Sequence, residues 1–459
     1  NGVGHRENSN VAYTSRRSAV YGTRRGAALG VTEPFSTGLG GDCFCLFYSA
    51  KEKKVHGLNG SGRAPAALTI DRLRREFGVA GDEIPAHSAH AATVPGAAAG
   101  WVDTLQLFGS GRIRQFVGDS GFPVGELTSP FWRDGAKLLT TASPNGSELL
   151  INGAGPLPGQ VFRNTALAST MRLLAQDGAR GFYEGPVASA IIDCLKESGC
   201  VMTLDDLCAH HSSTEEPISY EYRGHRLHEC APNCSGLAAL LALDSRCAGK
   251  FSDSLRLAFA DARRYVCDPD FSSIPVLQLL SPAYLAARAA CFDPGSAAAS
   301  VTHGTPLGGS DTGNACSFVN STFHPFGTGI VPRGCGFALQ DRGCLFSLDP
   351  AHPNCLEPRK RPYHTIIPAI VTTDGDLFMS YGIMGGFNQP QAHLQVLLNI
   401  DGRVAIEDGI SQHTIDQLQR MGHSVYIVTG LQRSLFGRGQ VIRQYTDQLL
   451  GIPPALNQV

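Results

Sequence analysis

Residues 308–349 read GGSDTGNACSFVNSTFHPFGTGIVPRGCGFALQDRGCLFSLD and form the most informative segment of the chain. Short apolar runs alternate there with glycine-containing turns, and Thr312 directly follows Asp311. Taken alone, a threonine after an aspartate is most often a turn or helix-cap residue. The segment therefore indicates a function only when it is considered together with the rest of the sequence.

Upstream of this segment, the sequence predicts regular structure in several places. Residues 42–56 predict two strands about a charged turn. Helical spacing over 165–176 and 185–196 predicts two helices, each ending near a glycine. Thr203, followed by acidic residues, predicts the start of another helix. The opening residues, to about Arg17, carry no such pattern and are expected to lack regular structure.

Downstream, the last third of the chain predicts a hairpin. The runs IIPAIVTT (366–373) and DLFMSYGIM (376–384) are joined by Asp374-Gly375, a pair that tolerates the positive φ angles of a type I′ turn. Further elements are predicted as a strand at 404–407, a helix at about 411–421 and a strand at 424–428. Strands and helices are mixed without a regular βαβ rhythm, which predicts an α+β fold.

Composition excludes several classes of protein. The 459 residues are 42% hydrophobic and 17% charged, enough for a large core, and the net charge is −2. This balance gives no basis for binding nucleic acid, and no run approaches the about 20 apolar residues of a membrane span. The fourteen cysteines contain no CxxC pair with zinc spacing, so we interpret most of them as buried thiols. Free thiols favour a reducing compartment such as the cytoplasm.

Local motifs for cofactors, metals and serine hydrolases are missing from the sequence. The glycine-rich loops lack Walker or GxGxxG spacing and are interpreted as tight turns. No GxSxG motif supports a serine α/β-hydrolase. The histidines at positions 303, 324, 352, 364 and 393 have neither HExxH nor HxH spacing and are interpreted as core or surface histidines. The sequence therefore predicts neither a cofactor nor a metal.

Together with KRPYHTIIP (360–368) and GIMGGFNQPQAH (382–393), the 308–349 segment resembles the small-subunit region of γ-glutamyltransferases. The resemblance is to the soluble branch described as glutathione hydrolase-like proenzymes in particular. Further blocks follow the family's order, at 31–48, 59–69, 93–104, 121–132, 255–269 and 435–442. One block would be weak evidence, whereas blocks in order across most of the chain are strong evidence.

This resemblance implies one domain over 1–459, folded as a four-layer αββα sandwich of the N-terminal-nucleophile hydrolase type. The precursor would cut itself between Asp311 and Thr312, giving a large-subunit part, 1–311, and a small-subunit part, 312–459, that stay associated. A freed α-amino group has a pKa near about 7.7–8.0, so it can take the proton of its own Thr312 hydroxyl at neutral pH. That hydroxyl can then attack an amide carbonyl.

The resemblance also implies the other site residues. Gly385 and Gly386 fall where the family forms its oxyanion hole from backbone N–H groups. Thr365 and His364 match two hydroxyl-bearing positions that hold the substrate carboxylate, although His364 has no hydroxyl. Arg63 lies in the block that carries the family's carboxylate-clamping arginine. A surface salt bridge is the alternative interpretation of Arg63.

The implied activity is hydrolysis of a γ-glutamyl amide such as glutathione, or transfer of that group to an acceptor amine or peptide. Two departures leave alternatives open. Gly313-Asn314 follows Thr312 at once, where the family has most of a strand, which would suit a non-catalytic, uncleaved homologue. The family's acidic partner for the substrate amino group falls on Leu345 and its asparagine on Phe323, which would suit an amidase for a different acyl amide.

Overall fold

The computed structural model describes residues 10–13, 18–109, 120–222, 224–243, 251–285 and 315–398, with short pieces at 405–407, 412, 416, 426–428 and 438–443. Asp311 and Thr312 lie outside the described residues, as does most of the helix predicted at 411–421. Within the described part, no helix is both long and apolar enough to cross a membrane.

The strands are β1 (Asn10–Tyr13), β2 (Asp42–Ser49), β3 (Lys54–Gly60), β4 (Phe122–Pro123), β5 (Val161–Phe162), β6 (Ser213–Glu215), β7 (Ile218–Tyr222), β8 (His225–Glu229), β9 (Cys316–Ser321), β10 (Pro368–Thr373), β11 (Asp376–Met384), β12 (Ala405–Glu407), β13 (Tyr426–Val428) and β14 (Arg438–Arg443). Two five-stranded antiparallel sheets dominate, with orders β1-β9-β2-β3-β6 and β14-β11-β10-β8-β7. Two small pairs remain, β4 with β5 and β12 with β13.

The helices are α1 (Ser18–Thr32), α2 (Ile70–Arg75), α3 (Ala97–Phe108), α4 (Thr128–Ala142), α5 (Thr165–Asp177), α6 (Arg180–Tyr183), α7 (Gly185–Glu197), α8 (Leu204–Cys208), α9 (Gly236–Leu243), α10 (Phe251–Tyr265), α11 (Val276–Leu279) and α12 (Gln389–Leu398). Short 3₁₀ turns lie at Ala89–Ala91, Pro144–Leu149, Arg342–Leu345 and Gly386–Asn388. The helices predicted from periodicity correspond to α5 and α7, and both predictions are confirmed.

The first sheet separates two hydrophobic cores. Side chains alternate along a strand, so Cys43 and Cys45 of β2 face a core formed with α3, α5 and α7. Phe44 and Leu46 face the opposite way, into a core shared with the second sheet. Because both faces of this strand are buried, it has an apolar residue at nearly every position.

The second sheet repeats this arrangement. Ile370 of β10 belongs to the core between the sheets, whereas Ala369 and Val371 face a core formed with α9, α10 and α12. Ser317 links the sheets, since its hydroxyl donates to the Tyr381 carbonyl at 2.7 Å. The layers are therefore helix, sheet, sheet and helix, which confirms the predicted α+β class and αββα sandwich.

Local predictions and the structure agree at the turns but differ at the start of the chain. The 42–56 hairpin is confirmed as β2 and β3, and Thr203 forms a capping box with Asp206. The expectation of an unstructured opening is wrong for Asn10–Tyr13, which pairs with β9. The pairing with β1 satisfies backbone hydrogen-bonding groups on one side of β9. A local sequence pattern cannot reveal such a pairing, because the two strands are far apart in the chain.

Candidate active site

A buried arginine lies at the end of the first sheet, beside the residue that terminates β9. Arg342 begins a 3₁₀ turn and is only 1% exposed. Its Nη1 donates to Thr365 Oγ1 at 2.7 Å, and its Nη2 approaches Ser321 Oγ at 3.5 Å. The Phe323 ring covers the guanidinium, with 4.3 Å between the guanidinium carbon and the ring centroid. The guanidinium is therefore fixed by hydroxyl groups and by an aromatic face.

The charge of Arg342 is incompletely satisfied. Its direct side-chain hydrogen bonds in the described part go to neutral hydroxyls, and its buried Nε has no hydrogen-bond partner there. Burial lowers the pKa of this guanidinium to about 10, although Asp42 and Asp341 oppose the shift. It therefore stays charged at neutral pH. Because buried charges are normally paired, this group suits an incoming anion.

The Gly385-Gly386 loop directly precedes an aromatic residue whose ring lies near that of Phe323. Both glycines have positive φ angles, 141° and 55°, and such backbone favours glycine. The next residue, Phe387, has its ring centroid 6.3 Å from that of Phe323. The loop is thus linked to Arg342 through the Phe387 and Phe323 rings, whereas Thr365 contacts Arg342 directly.

His364 is next to Thr365 in sequence but makes different contacts. Its Nδ1 accepts the Ile366 N–H at 3.3 Å, so Nε2 carries the ring proton and donates to Asp42 Oδ2 at 3.1 Å. Burial, with the nearby charge of Arg342, holds the pKa of His364 well below its usual range. Both ring nitrogens are thus used inside the protein, and none remains for a substrate carboxylate.

Asp42 is the centre of the polar network behind this group. Its Oδ1 accepts the Gly62 and Gly96 N–H groups at 2.9 and 3.1 Å, and its Oδ2 accepts Gln340 Nε2 at 3.1 Å as well as His364. Gln340 also accepts the Arg342 N–H at 2.8 Å. The network therefore connects the start of β2 with the segment that carries Arg342 and with the segment that carries His364.

Arg63 lies in a separate set of contacts. Its guanidinium donates to the His211 carbonyl at 3.3 Å. Burial and the charge of Arg361 lower its pKa, and Asp268, Asp270 and Glu215 oppose that shift. The structure therefore places Arg63 in a mixed charged cluster. The Thr365 hydroxyl, in contrast, accepts a hydrogen bond from Arg342.

Leu345 and Phe323, the two positions at which the 308–349 segment departs from the family's polar residues, both lie among described side chains. Leu345 is half-buried and packs against hydrophobic side chains. Phe323 adopts a positive φ of 78° and stacks on Arg342. Neither position offers a carboxylate to an ammonium group.

The predicted nucleophile precedes the described part of β9. Thr312 is outside the described residues, and description resumes three residues later at Ala315. Ala315 is fully buried between the sheets, and its carbonyl accepts the Tyr48 N–H. The role of Thr312 therefore stays a prediction.

Sequence reasoning did not identify Arg342. Its local sequence, Gln-Asp-Arg-Gly, is polar and glycine-containing, and is typical of an exposed turn. The only signal was its position within the informative 308–349 segment. Its burial depends on Phe323 and Thr365, which are distant enough in sequence that no local pattern connects them.

An αββα sandwich in which a strand of the first sheet follows shortly after a candidate nucleophile defines the class of N-terminal-nucleophile hydrolases, and this chain is an enzyme of that class. The family model described as gamma-glutamyltranspeptidase matches residues 25–402. The chain therefore belongs to the γ-glutamyltranspeptidase family.

Individual relatives cover nearly the whole chain. It is 30% identical to the glutathione hydrolase-like YwrD proenzyme of Bacillus subtilis, over 91% of this chain and 88% of the relative. It is also 30% identical to the oxamate amidohydrolase proenzyme of Klebsiella pneumoniae, over 93% and 90%. Among solved structures, cephalosporin acylase from Bacillus halodurans superposes with a TM-score of 0.82 at 31% identity, covering 94% of this chain and 88% of the acylase.

Proposed function

We propose that this chain is a γ-glutamyl hydrolase or transferase that acts through an ester on Thr312, formed after self-cleavage between Asp311 and Thr312. The observation that carries the substrate class is the buried Arg342 guanidinium, whose side-chain partners are hydroxyls and whose Nε lacks a partner in the described part. Such a group suits a substrate with a carboxylate on its acyl part. Thr365 orients Arg342 towards it.

The chemistry needs no cofactor. The α-amino group of Thr312 takes the proton from its own hydroxyl while Oγ attacks the amide carbonyl carbon. Backbone N–H groups of Gly385 and Gly386 stabilise the resulting oxyanion, and the amine leaves with the proton. Water or an acceptor amine then attacks the ester and releases the acyl group. The acceptor decides between hydrolysis and transfer.

Strand order supports continued association of the two cleavage products. β9 would belong to the 312–459 part, and it lies between β1 and β2 of the 1–311 part. β10 of the smaller part pairs with β8 of the larger part. Both sheets thus contain strands from each side of Asp311–Thr312, so separation would expose paired backbone and the apolar side chains of all three cores described above.

A second candidate is an amidase for a carboxylate-bearing acyl group that lacks the α-amino group. The observation favouring it is Leu345, an apolar residue where the family carries its acidic partner for the substrate amino group. The names of two relatives, an oxamate amidohydrolase and a cephalosporin acylase, also point to acyl amides other than γ-glutamyl ones.

Three matched p-nitroanilides separate these candidates. The γ-glutamyl and glutaryl substrates share a carboxylate and chain length and differ by the amino group, whereas the pentanoyl substrate lacks both groups. The main proposal expects the order γ-glutamyl, glutaryl, pentanoyl in kcat/KM. Glutaryl above γ-glutamyl would establish the second candidate instead. Equal rates for all three would contradict carboxylate recognition altogether.

The role of Arg342 is tested with Arg342→Gln. Loss of one member of a buried charge pair costs about 2–4 kcal/mol, so kcat/KM for the γ-glutamyl substrate should fall by about 30- to 1000-fold. Residual turnover of the pentanoyl substrate should be nearly unchanged, which also shows that the variant folds. Arg63→Gln is the matched control and should have a much smaller effect. A larger loss of kcat/KM in Arg63→Gln than in Arg342→Gln would indicate that Arg63, and not Arg342, binds the substrate carboxylate.

A further inference from the structure

A cluster of three metal-binding side chains lies beside the candidate active site. The ligand atoms of His324, Asp341 and Cys344 all lie within 4.8 Å of one another. His324 Nδ1 is 2.7 Å from Asp341 Oδ2. Asp341 and Cys344 are brought together by the 3₁₀ turn that starts at Arg342, and His324 follows the end of β9. The three residues thus converge from two separate segments.

This donor set suits a particular kind of cation. Imidazole and thiolate ligands favour zinc-type transition metals, whereas magnesium and calcium prefer all-oxygen sites. Zinc bonds of about 2.0–2.3 Å in a tetrahedron place ligand atoms roughly 3.3–3.8 Å apart. The observed separations, from 2.7 Å to at most 4.8 Å, bracket this range. Small side-chain rotations would therefore bring all three donors into coordination.

The carboxylate at the centre is already held in place. The backbone N–H of His324 donates to Asp341 Oδ1, and that of His87 donates to Oδ2, each at 3.3 Å. Such outer contacts orient metal ligands. The Asp341 side chain is fully buried, whereas that of His324 is 39% exposed and leaves a path from solvent.

A fourth donor is close to the cluster. His87 Nδ1 is 3.7 Å from Asp341 Oδ2, and its ring centroid is 5.3 Å from that of His324. The His87 backbone has a φ of 61°, an unusual conformation for a non-glycine residue. The Nδ1 atom meanwhile contacts the Gly327 carbonyl at 2.6 Å, so ligation by that atom would require the ring to turn.

We propose that His324, Asp341 and Cys344 bind one divalent transition metal of the zinc type, with His87 as the nearest further donor. The nearby Arg342 guanidinium opposes the charge of the metal, and its Nη groups are engaged by Thr365 and Ser321. The site is separate from the proposed acyl chemistry, in which none of the three ligands takes part.

Cobalt(II) gives a direct readout that does not depend on enzyme activity. The full-length, reduced chain is titrated with Co²⁺, and thiolate ligation produces a near-ultraviolet charge-transfer band; Zn²⁺ is then added to displace it. We expect a band that saturates at one metal per chain. Absence of such a band would overturn the proposal.

Two variants and a control assign the ligands. Cys344→Ser should abolish the band, and His324→Gln should weaken Zn²⁺ binding by at least the about 10- to 100-fold seen for loss of outer-shell partners. Cys208→Ser, which removes an exposed thiol outside the cluster, should leave both unchanged. A band that survives Cys344→Ser, or disappears with Cys208→Ser, would assign the metal to other thiols. Circular dichroism of each variant checks that it is folded.

Discussion

At the scale of single residues, three fully buried cations differ in how their charge is satisfied. Lys360 donates to the Glu357 carboxylate at 2.6 Å and to the Pro353 carbonyl at 2.8 Å. Arg361 likewise has oxygen partners, including Asp270 at 3.9 Å. Arg342 instead has hydroxyl partners and a free Nε in the described part. Since a buried charge without a direct carboxylate contact is unfavourable, this difference supports the ligand-binding role proposed for Arg342.

Asp42 should make stability depend on pH. Burial raises the pKa of its carboxyl from 3.8 to about 7, against opposing contributions from Arg342 and two backbone N–H groups. A carboxyl whose pKa is raised on folding stabilises the protein fully below pH 3.8, and that contribution is lost as pH rises towards 7. The free-energy advantage of wild type over Asp42→Asn should therefore shrink by up to about 1.4 kcal/mol per pH unit between these limits.

Urea unfolding of both proteins at several pH values between 4 and 8 measures this difference. It should fall with pH up to about 7 and then become constant. A difference that is constant over the whole range, or that grows with pH, would show that Asp42 is ionised throughout.

The sequence predicted some residues of the candidate site and missed others, for physical reasons. Gly385 and Gly386 have a backbone conformation that favours glycine, so the pair of glycines can be recognised from the local sequence. Arg342 cannot be recognised in this way, because its burial comes from contacts with Phe323 and Thr365, which are distant in sequence. The proposed metal site is similarly hidden, since His324 is seventeen positions before Asp341 and no known ligand spacing joins them.

At the scale of elements, local sequence predicted turns well and edge strands poorly. The Asp374-Gly375 pair adopts φ angles of 48° and 93°, as the predicted hairpin turn requires. β1 has only four residues, and its position depends on pairing with β9, which lies about 300 positions away. A strand of that kind is specified by its partner, which explains why the opening segment gave no local signal.

Gly375→Ala tests the turn. A residue with a Cβ at a φ of 93° is strained, so the free energy of unfolding should decrease by about 1–2 kcal/mol. Asp374→Gly is the matched control and should change stability far less, because glycine accepts the φ of 48° at that position. Denaturant unfolding measures both variants. Equal destabilisation by the two substitutions would contradict a conformational origin.

At the scale of the whole molecule, the proposed cleavage would cut the polypeptide but leave both sheets assembled. Each of the two sheets contains strands from both sides of residue 311, and the core between the sheets contains side chains from both parts. The αββα layers could be predicted from the family resemblance, whereas local patterns alone predicted only a mixture of helices and strands. Layering depends on which faces of the two sheets meet, and this is decided by long-range packing.

The intact masses and N-terminal sequences of the purified chain measure the proposed activation most directly. We expect two polypeptides that copurify, the smaller beginning at Thr312, in place of one 48.7 kDa chain. Thr312→Ala should remain a single polypeptide, whereas Thr305→Ala, a nearby control, should be cut as wild type is. A wild-type chain that stays intact while purified and folded, or a Thr312→Ala chain that is still cut at the same bond, would contradict the assignment of Thr312 as an N-terminal nucleophile.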